Sequence, residues 1–245
     1  MSADQRYNFS YDGTIEGFLC IFDFCVNQRI IPLHIKAEYL IISECEKEQY
    51  MYVVSDFDKA EKVYRSIGRH AGVQVQQMVT DAFLTCIDDR EMCLFAFICK
   101  SIKHGAIMAE DYKDKVAARI QFAIRDLYRE AQSSLSNINI VPKNSTGLCV
   151  INPRNNILPL IKKACFREVE YDDIIIYDKR HRIVAARFDD RESVLDLTDV
   201  ISEDITCSKD LYEKLMPYLK SSGWFSYQRK VRGSNELTPF WYKAG

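Results

Sequence analysis

A nearly unbroken series of helical patterns between Ser55 and Asn137 constrains the fold of this chain more than any other feature. Apolar residues recur there at helical spacing, with Asp or Ser where several patterns start and Gly where two of them stop. Residues 90–105 are apolar on nearly every side, which is typical of a helix at the centre of a core. Residues 109–134 have one apolar stripe, which predicts a long surface helix. The N-terminal half is therefore predicted to be mainly helical.

The opening segment "YDGTIEGFL", residues 11–19, combines two glycines and two carboxylates at the edge of an apolar run. Asp12 and the glycine after it predict a turn, and Thr14 predicts a helix N-cap. Glu16 is expected in the first turn of that helix, where the helix dipole favours a carboxylate. We interpret the segment as a helix start, with Asp12 and Glu16 as secondary candidates for a functional role.

Strand patterns become prominent after residue 137. Residues 174–188 contain two β-branched runs separated by "DKRHR", which predicts a hairpin. The segment "SVLDL" after it could add a third strand, and "NNILPLIKKACF" predicts a helix with Pro159 in its first turn. A last helix is predicted over residues 208–223.

These patterns predict an α+β fold. A mainly helical N-terminal half, residues 1–137, is expected to contain a short hairpin near residues 38–54 and to pack on a smaller antiparallel-sheet half. That second half, residues 138–245, would hold the hairpin 174–188, the terminal helix and an aromatic-basic tail. No Gly/Ser linker separates the halves, so two domains and one compact unit both remain open.

Composition limits the environment of the protein. The nine cysteines are odd in number and most lie in apolar stretches, which is typical of reduced thiols in the cytoplasm. We see neither a signal-type segment nor an apolar run of about 18 residues, so we expect a cytoplasmic protein that does not span a membrane. The net charge of -2 gives no overall attraction to nucleic acid, and binding would need a local basic patch.

No complete catalytic motif is present. We find no phosphate-binding or dinucleotide-binding glycine loop, no nucleophile elbow, and no Cys or His spacing typical of a metal site. The acidic pairs at residues 88–89, 172–173 and 189–190 lie where helix caps and turns are expected. The sequence therefore predicts no cofactor and no metal, and it leaves an enzymatic role uncertain.

Two basic stretches are candidate nucleic-acid contacts. One is the tip of the predicted hairpin, with Lys179, Arg180 and Arg182, where an exposed turn kept soluble by charge is the alternative. The other is the C-terminal tail, where aromatic rings that could stack on bases lie among basic groups. Its alternative is a tail whose rings dock on the protein. The candidates in the tail are Trp224, Tyr227, Arg229, Lys230, Arg232 and Trp241.

Several segments together resemble a bacterial family of probable DNA metabolism proteins, a domain of unknown function. The resemblance rests on residues 11–19, the "REA" of residues 129–131, "NNILPLI" of residues 155–161, the hairpin segment 174–190 and the Trp224–Tyr227 pair. Members of that family are typically encoded beside a putative DNA-modification or repair radical-SAM protein, and some are fused to a uracil-DNA glycosylase domain. The resemblance implies a role in DNA repair or modification.

We therefore expect an accessory or nucleic-acid-binding protein without an active site of its own. Its partners would be DNA, single-stranded or distorted, and a radical-SAM iron-sulfur protein. One alternative is a stand-alone glycosylase-like or nuclease-like enzyme that uses Asp178 or Asp189. Another is a protein-interaction scaffold that binds its partner through the C-terminal aromatic residues.

Overall fold

The computed structural model describes residues 7–143, 146–168, 171, 173–188, 191–196 and 213. Helices and strands both occur, so the α+β class is confirmed. The strands are β1 Tyr7–Tyr11, β2 Pro32–Ala37, β3 Tyr50–Tyr52, β4 Val141–Lys143, β5 Thr146–Ile151, β6 Asp173–Asp178, β7 Ile183–Phe188 and β8 Arg191–Asp196. The helices are α1 Ile15–Gln28, α2 Glu44–Lys47, α3 Phe57–Ala71, α4 Val73–Phe83, α5 Arg90–His104, α6 Lys115–Ser136 and α7 Leu158–Glu168.

The chain divides into two compact units between Arg125 and Asp126, inside helix α6. Unit 1 comprises the described residues up to Arg125, and unit 2 comprises the described residues from Asp126 onward. Each unit has its own sheet.

The sheet of unit 1 is entirely parallel, with strand order β2-β1-β3. The predicted hairpin of residues 38–54 is wrong, because β3 pairs in parallel with β1 and not with the strand that precedes it in sequence. Residues Glu38–Leu40 form a 3-10 turn, and the charged connector forms α2, whose first turn is capped by Ser43. The Ser43 hydroxyl accepts a hydrogen bond from the Glu46 amide, a local signal that favours helix over a hairpin turn. The three strands of this sheet lie in the half predicted to be mainly helical, so the predicted arrangement of a helical half and a sheet half is confirmed only in part.

The helix boundaries of unit 1 follow local sequence signals. Thr14 caps α1 as predicted, and α1 ends at Arg29, which has a left-handed backbone. Helix α3 continues beyond Gly68, where we expected it to end. A Cβ atom on Gly68 would lie only 2.7 Å from the Gln76 side chain of α4, so this glycine permits close helix packing rather than termination.

Helix α5 is the central helix of unit 1, as predicted. Within the described residues, the stretch Arg90–Ala109 is long and apolar enough to cross a membrane by length and composition alone. The side chains of Leu94, Phe97 and Ile98 are nevertheless completely buried in the core, against residues of α3 and α4 and the strands. This packing explains the apolar character of the helix without a membrane.

The sheet of unit 2 has the order β4-β5-β6-β7-β8. The predicted hairpin is confirmed, since β6 and β7 pair antiparallel, and "SVLDL" contributes to β8. The expected antiparallel pairing is confirmed for three of the strand pairs and is wrong for β5 and β6, which pair in parallel. Helix α7 connects them, and such a helical crossover brings the next strand back in the same direction. The terminal helix predicted over residues 208–223 lies outside the described residues, apart from the helical Glu213.

Candidate nucleic-acid interface

The carboxyl ends of β5 and β6 place two loops of unit 2 side by side. Ile151 and Asp178 are paired as the last residues of the two parallel strands. The Lys179 amide donates a hydrogen bond of 2.9 Å to the Ile151 carbonyl. The loop after β5 and the hairpin tip after β6 therefore start from the same edge of the sheet, the position at which parallel strands commonly present functional side chains.

The basic tip, residues Lys179–Arg182, is held in shape by one carboxylate. Asp178 is completely buried, and its Oδ1 accepts hydrogen bonds from the backbone amides of Arg180 and His181 at 3.0 and 3.1 Å. Its Oδ2 lies 2.8 Å from Nδ1 of His181. Arg182 completes the turn with a left-handed φ of 55°. Asp178 thus fixes the backbone from which the basic side chains project.

The structure brings the predicted tip residues Lys179, Arg180 and Arg182 together in one four-residue turn. Arg180 is exposed, whereas Lys179 and Arg182 are half-buried. Neither Lys179 nor Arg180 forms an ion pair with any residue that the structure describes. These two cations can therefore meet an external anion without first breaking an internal salt bridge.

A polar cleft of about 580 Å³ opens beside this edge, between the last turns of α6 and the end of β5. Its lining carries two arginines, the two carboxylates of Asp126 and Glu130, and several neutral hydrogen-bonding groups. The principal ones are Arg129, Ser133, Ser134, Asn137, Asn152 and Arg154. Phosphate groups and base edges could both be contacted by such a set.

Glu130 of α6 anchors the loop after β5. Its carboxylate accepts hydrogen bonds from the Arg154 amide at 2.7 Å, the Asn155 amide at 2.9 Å and the Asn155 side chain at 2.7 Å. Burial raises the pKa of Glu130, but these bonds and the charge of Arg154 outweigh it and hold the pKa below its ordinary value. Arg154 also pairs with Asp126 at 2.9 Å. The loop is therefore fixed to α6 by two carboxylates.

Arg129, next to Glu130 in sequence, is exposed and has no ion pair among the described residues. Sequence reasoning did not name Arg129 or Arg154 as candidates. Both lie in or beside segments on which the family resemblance rests, but nothing in the sequence shows that these segments meet. The parallel crossover through α7 and the contacts of Glu130 bring them to one edge.

The tail candidates Trp224, Tyr227, Arg229, Lys230, Arg232 and Trp241 lie outside the described residues, as does Asp189. Asp178 is described, but it is completely buried and both of its carboxylate oxygens are held by Arg180 and His181, which prevents direct contact with a substrate. Within the described residues, no three His, Cys, Asp or Glu side chains form a group that could hold a metal ion.

Comparison with known proteins does not assign the chain to a family. No protein-family model matches it. No curated protein matches it either. The chemistry of the unit 2 edge therefore has to be judged from its own geometry.

Proposed function

We propose that this cytoplasmic protein binds DNA as an accessory factor in DNA repair or modification and works with a radical-SAM iron-sulfur enzyme. We assign it no active site of its own. The proposal depends chiefly on one observation: the basic tip and the polar cleft lie at the same edge of unit 2. The family resemblance supplies the biological context.

Charge supports DNA as the ligand. Arg180 and Arg129 are exposed cations without ion pairs in the described part of the chain, and guanidinium groups bind phosphate oxygens in a bidentate manner. The overall charge of -2 means that such attraction must be local. A local cationic edge suits a few phosphates of a single or distorted strand better than a long duplex.

The cleft supports contact with unpaired bases. The side chains of Asn137 and Asn152 are exposed at its lining, and an amide both donates and accepts hydrogen bonds. Bases present those groups only when they are unstacked or in an accessible groove. We therefore propose single-stranded or distorted DNA as the preferred form.

The positions of the resemblance segments also support the proposal. Residues 129–131, 155–161 and 174–190 are far apart in sequence. Glu130 bonds Asn155, and the strand after α7 ends at the basic tip. Three of the segments on which the resemblance to the DNA metabolism family rests thus adjoin the proposed interface.

The DNA-binding test compares the double variant R129A/R180A with wild type on single- and double-stranded DNA at about 50 mM and about 200 mM salt. Removing two phosphate contacts should weaken binding and lower the slope of log affinity against log salt by about one for each contact. The matched control is R167A, which removes an exposed arginine at the end of α7, before β6 and therefore towards the opposite edge of the sheet. Undetectable wild-type binding at low salt, or equal losses in R129A/R180A and R167A, would contradict the proposal.

The accessory role has a separate test. The full-length protein should recover an iron-sulfur protein in a pull-down under anaerobic conditions, detected by its visible absorbance and by mass spectrometry. Failure to recover such a protein would count against the accessory role, although DNA binding could still stand.

One observation favours a second candidate, an enzyme acting on nucleic acid. The buried Asp178 holds Nδ1 of His181, and a carboxylate that orients an imidazole in this way leaves the other ring nitrogen for proton transfer. Under this hypothesis, H181A and H181Q would both lose any cleavage of single-stranded DNA or RNA and would retain binding. Unchanged cleavage in both variants would exclude His181 as the base.

A further inference from the structure

The solvent-exposed side of helix α6 carries positive charge and no exposed acid. All residues of this 22-residue helix are described, and its exposed side chains are basic, aromatic or neutral. The cations and rings among them are Lys115, Arg119, Phe122, Arg125, Tyr128 and Arg129. Such a surface attracts an anionic partner along much of the length of the helix.

The two acids of α6 are directed away from this surface by their own bonds. Asp126 pairs with Arg154 at 2.9 Å, and Glu130 accepts its hydrogen bonds from the same loop after β5. Arg125 and Arg129, in contrast, form no ion pair with any residue that the structure describes. The exposed arginines of α6 are therefore available to an external phosphate.

Phe122 and Arg125 form a stacked pair on α6. The guanidinium carbon of Arg125 lies 4.7 Å from the ring centre of Phe122, and Phe122 is 52% exposed. A guanidinium that stacks by its flat side keeps its N–H groups directed outward in its own plane, where they donate to phosphate. The pair therefore offers a flat surface to a base and hydrogen-bond donors to the next phosphate. Proteins that bind single strands combine these two contacts.

The stacked pair continues the cleft along the helix. Arg129 lines the cleft, and Phe122 precedes it by seven residues on the same uninterrupted helix. Helix geometry places the two residues about 10 Å apart along the axis and within about 20° of each other around it. A strand with stacked bases has one phosphate about every 3.4 Å, so about three nucleotides span this interval.

A protein partner is less suited to this side of α6 than a nucleic acid strand. The large apolar side chains of Ile120 and Leu127 are completely buried, so they cannot extend an apolar contact around Phe122. The residues one turn before and after Phe122 are Arg119 and Arg125. Protein interfaces depend on an apolar centre with few charges, whereas this ring lies between two cations.

We infer that a single DNA strand bound at the cleft continues along α6 and stacks a base on Phe122 and Arg125. The inference rests on the proposed DNA binding and adds to it the path of the strand and a stacking site. Phe122 needs a base with a free face, which a base inside a duplex does not have. Phe122 therefore contributes only to the binding of single strands that are long enough to reach it.

The first test measures the affinity of wild type, F122L and F122W for oligothymidylates of about 4 and about 12 nucleotides and for a duplex of about 12 base pairs. F122L keeps an apolar side chain but has no ring face, so it should bind the longer strand about tenfold more weakly. F122W keeps a ring and should bind the longer strand at least as tightly as wild type. Both variants should match wild type on the short strand and on the duplex.

The second test concerns the charge of Arg125. R125A removes one phosphate contact, so on the longer strand it should lower the slope of log affinity against log salt by about 0.7. The matched control is R69A, which removes an exposed arginine of α3 that also has no ion pair among the described residues. R69A should keep the wild-type slope. Circular dichroism of each variant verifies that the fold is unchanged.

A third test locates the contact directly. A strand that contains 5-bromodeoxyuridine, irradiated in complex with the full-length protein, should cross-link to the tryptic peptide of residues 120–125. Phe122 is the one aromatic residue of that peptide, and Tyr128 falls in the next one. Mass spectrometry of the digest therefore distinguishes the two rings.

The inference is overturned if F122L binds the longer strand as wild type does, if F122L and F122W lose affinity equally, or if F122L loses as much on the short strand or the duplex. It is also overturned if R69A and R125A change the slope equally, or if no cross-link maps to residues 120–125. The proposed function survives these outcomes as long as R129A/R180A binds DNA more weakly than R167A. Undetectable binding of wild type to any strand would remove both.

Discussion

Folding raises the pKa of the Glu16 carboxyl group in unit 1. In the unfolded chain it should titrate near the ordinary value of 4.5, whereas in the folded protein its pKa is raised to about 7, first by burial and then by Asp12. The folded state therefore holds a proton on Glu16 that the unfolded state has lost across that interval. Folding and proton uptake are coupled at this one side chain.

We predict that this coupling makes wild-type stability depend on pH. The contribution of Glu16 is complete below about pH 4.5 and is lost as pH rises through about 7, which lowers the free energy of unfolding by up to about 3 kcal/mol. E16Q cannot ionise at this position. Its free energy of unfolding should therefore rise relative to that of wild type as the pH increases over the same interval. Urea unfolding at a series of pH values measures this, with E110Q, which changes an exposed acid of unit 1, following wild type as control. A constant difference between E16Q and wild type would refute the prediction.

The contacts between secondary-structure elements that local sequence patterns did not predict join residues that are distant in sequence. Local signals were sufficient to predict the Thr14 cap, the central helix α5 and the hairpin of β6 and β7. They failed for β3, because a three-residue strand has little pattern of its own and its partner β1 lies about forty residues earlier. The Glu130 contacts with Arg154 and Asn155 could not be predicted from the sequence either, because they depend on how α6 meets the end of β5.

We predict that E130A loosens the loop after β5. Two backbone amides and one side-chain amide would lose their acceptor, which should destabilise unit 2 by about 1–3 kcal/mol. Because the pKa of Glu130 is held low, its contribution is present at neutral pH and is lost as pH falls through the carboxylate range. Hydrogen exchange at Arg154 and Asn155 should increase in E130A and increase less in E130Q, which keeps one acceptor. Unchanged exchange in both variants would show that the carboxylate does not anchor the loop.

For the whole molecule, the division between units has a practical consequence. It falls inside α6, while the change in sequence character occurs near residue 137, because helical periodicity continues unbroken across the division. The second half of α6 belongs with the unit 2 sheet. Leu127 and Ala131 are buried there, and Glu130 bonds the loop after β5. The sequence pattern of a continuous helix does not indicate that its two halves belong to different units.

We predict different behaviour for two fragments of the chain. Residues 115–245 retain all of α6 and should fold with a cooperative thermal transition. Residues 138–245 lack Leu127, Ala131 and Glu130 and should lose that transition. The stabilisation lost with two buried side chains and an anchoring carboxylate is larger than the net free energy of unfolding of a small unit. Circular dichroism and NMR peak dispersion of the two fragments measure this. Equal cooperativity in both would place the boundary at residue 137 instead.

The buried Asp178 also has a kinetic consequence for the basic tip. Its bonds to Arg180 and His181 restrict the turn to one backbone shape before any partner arrives. A loop that is already ordered loses little conformational entropy on association, so encounter with an anionic strand should need no slow rearrangement of the backbone. If the proposed contact with DNA forms at this tip, its association rate should be limited by diffusion and ionic strength rather than by folding of the loop.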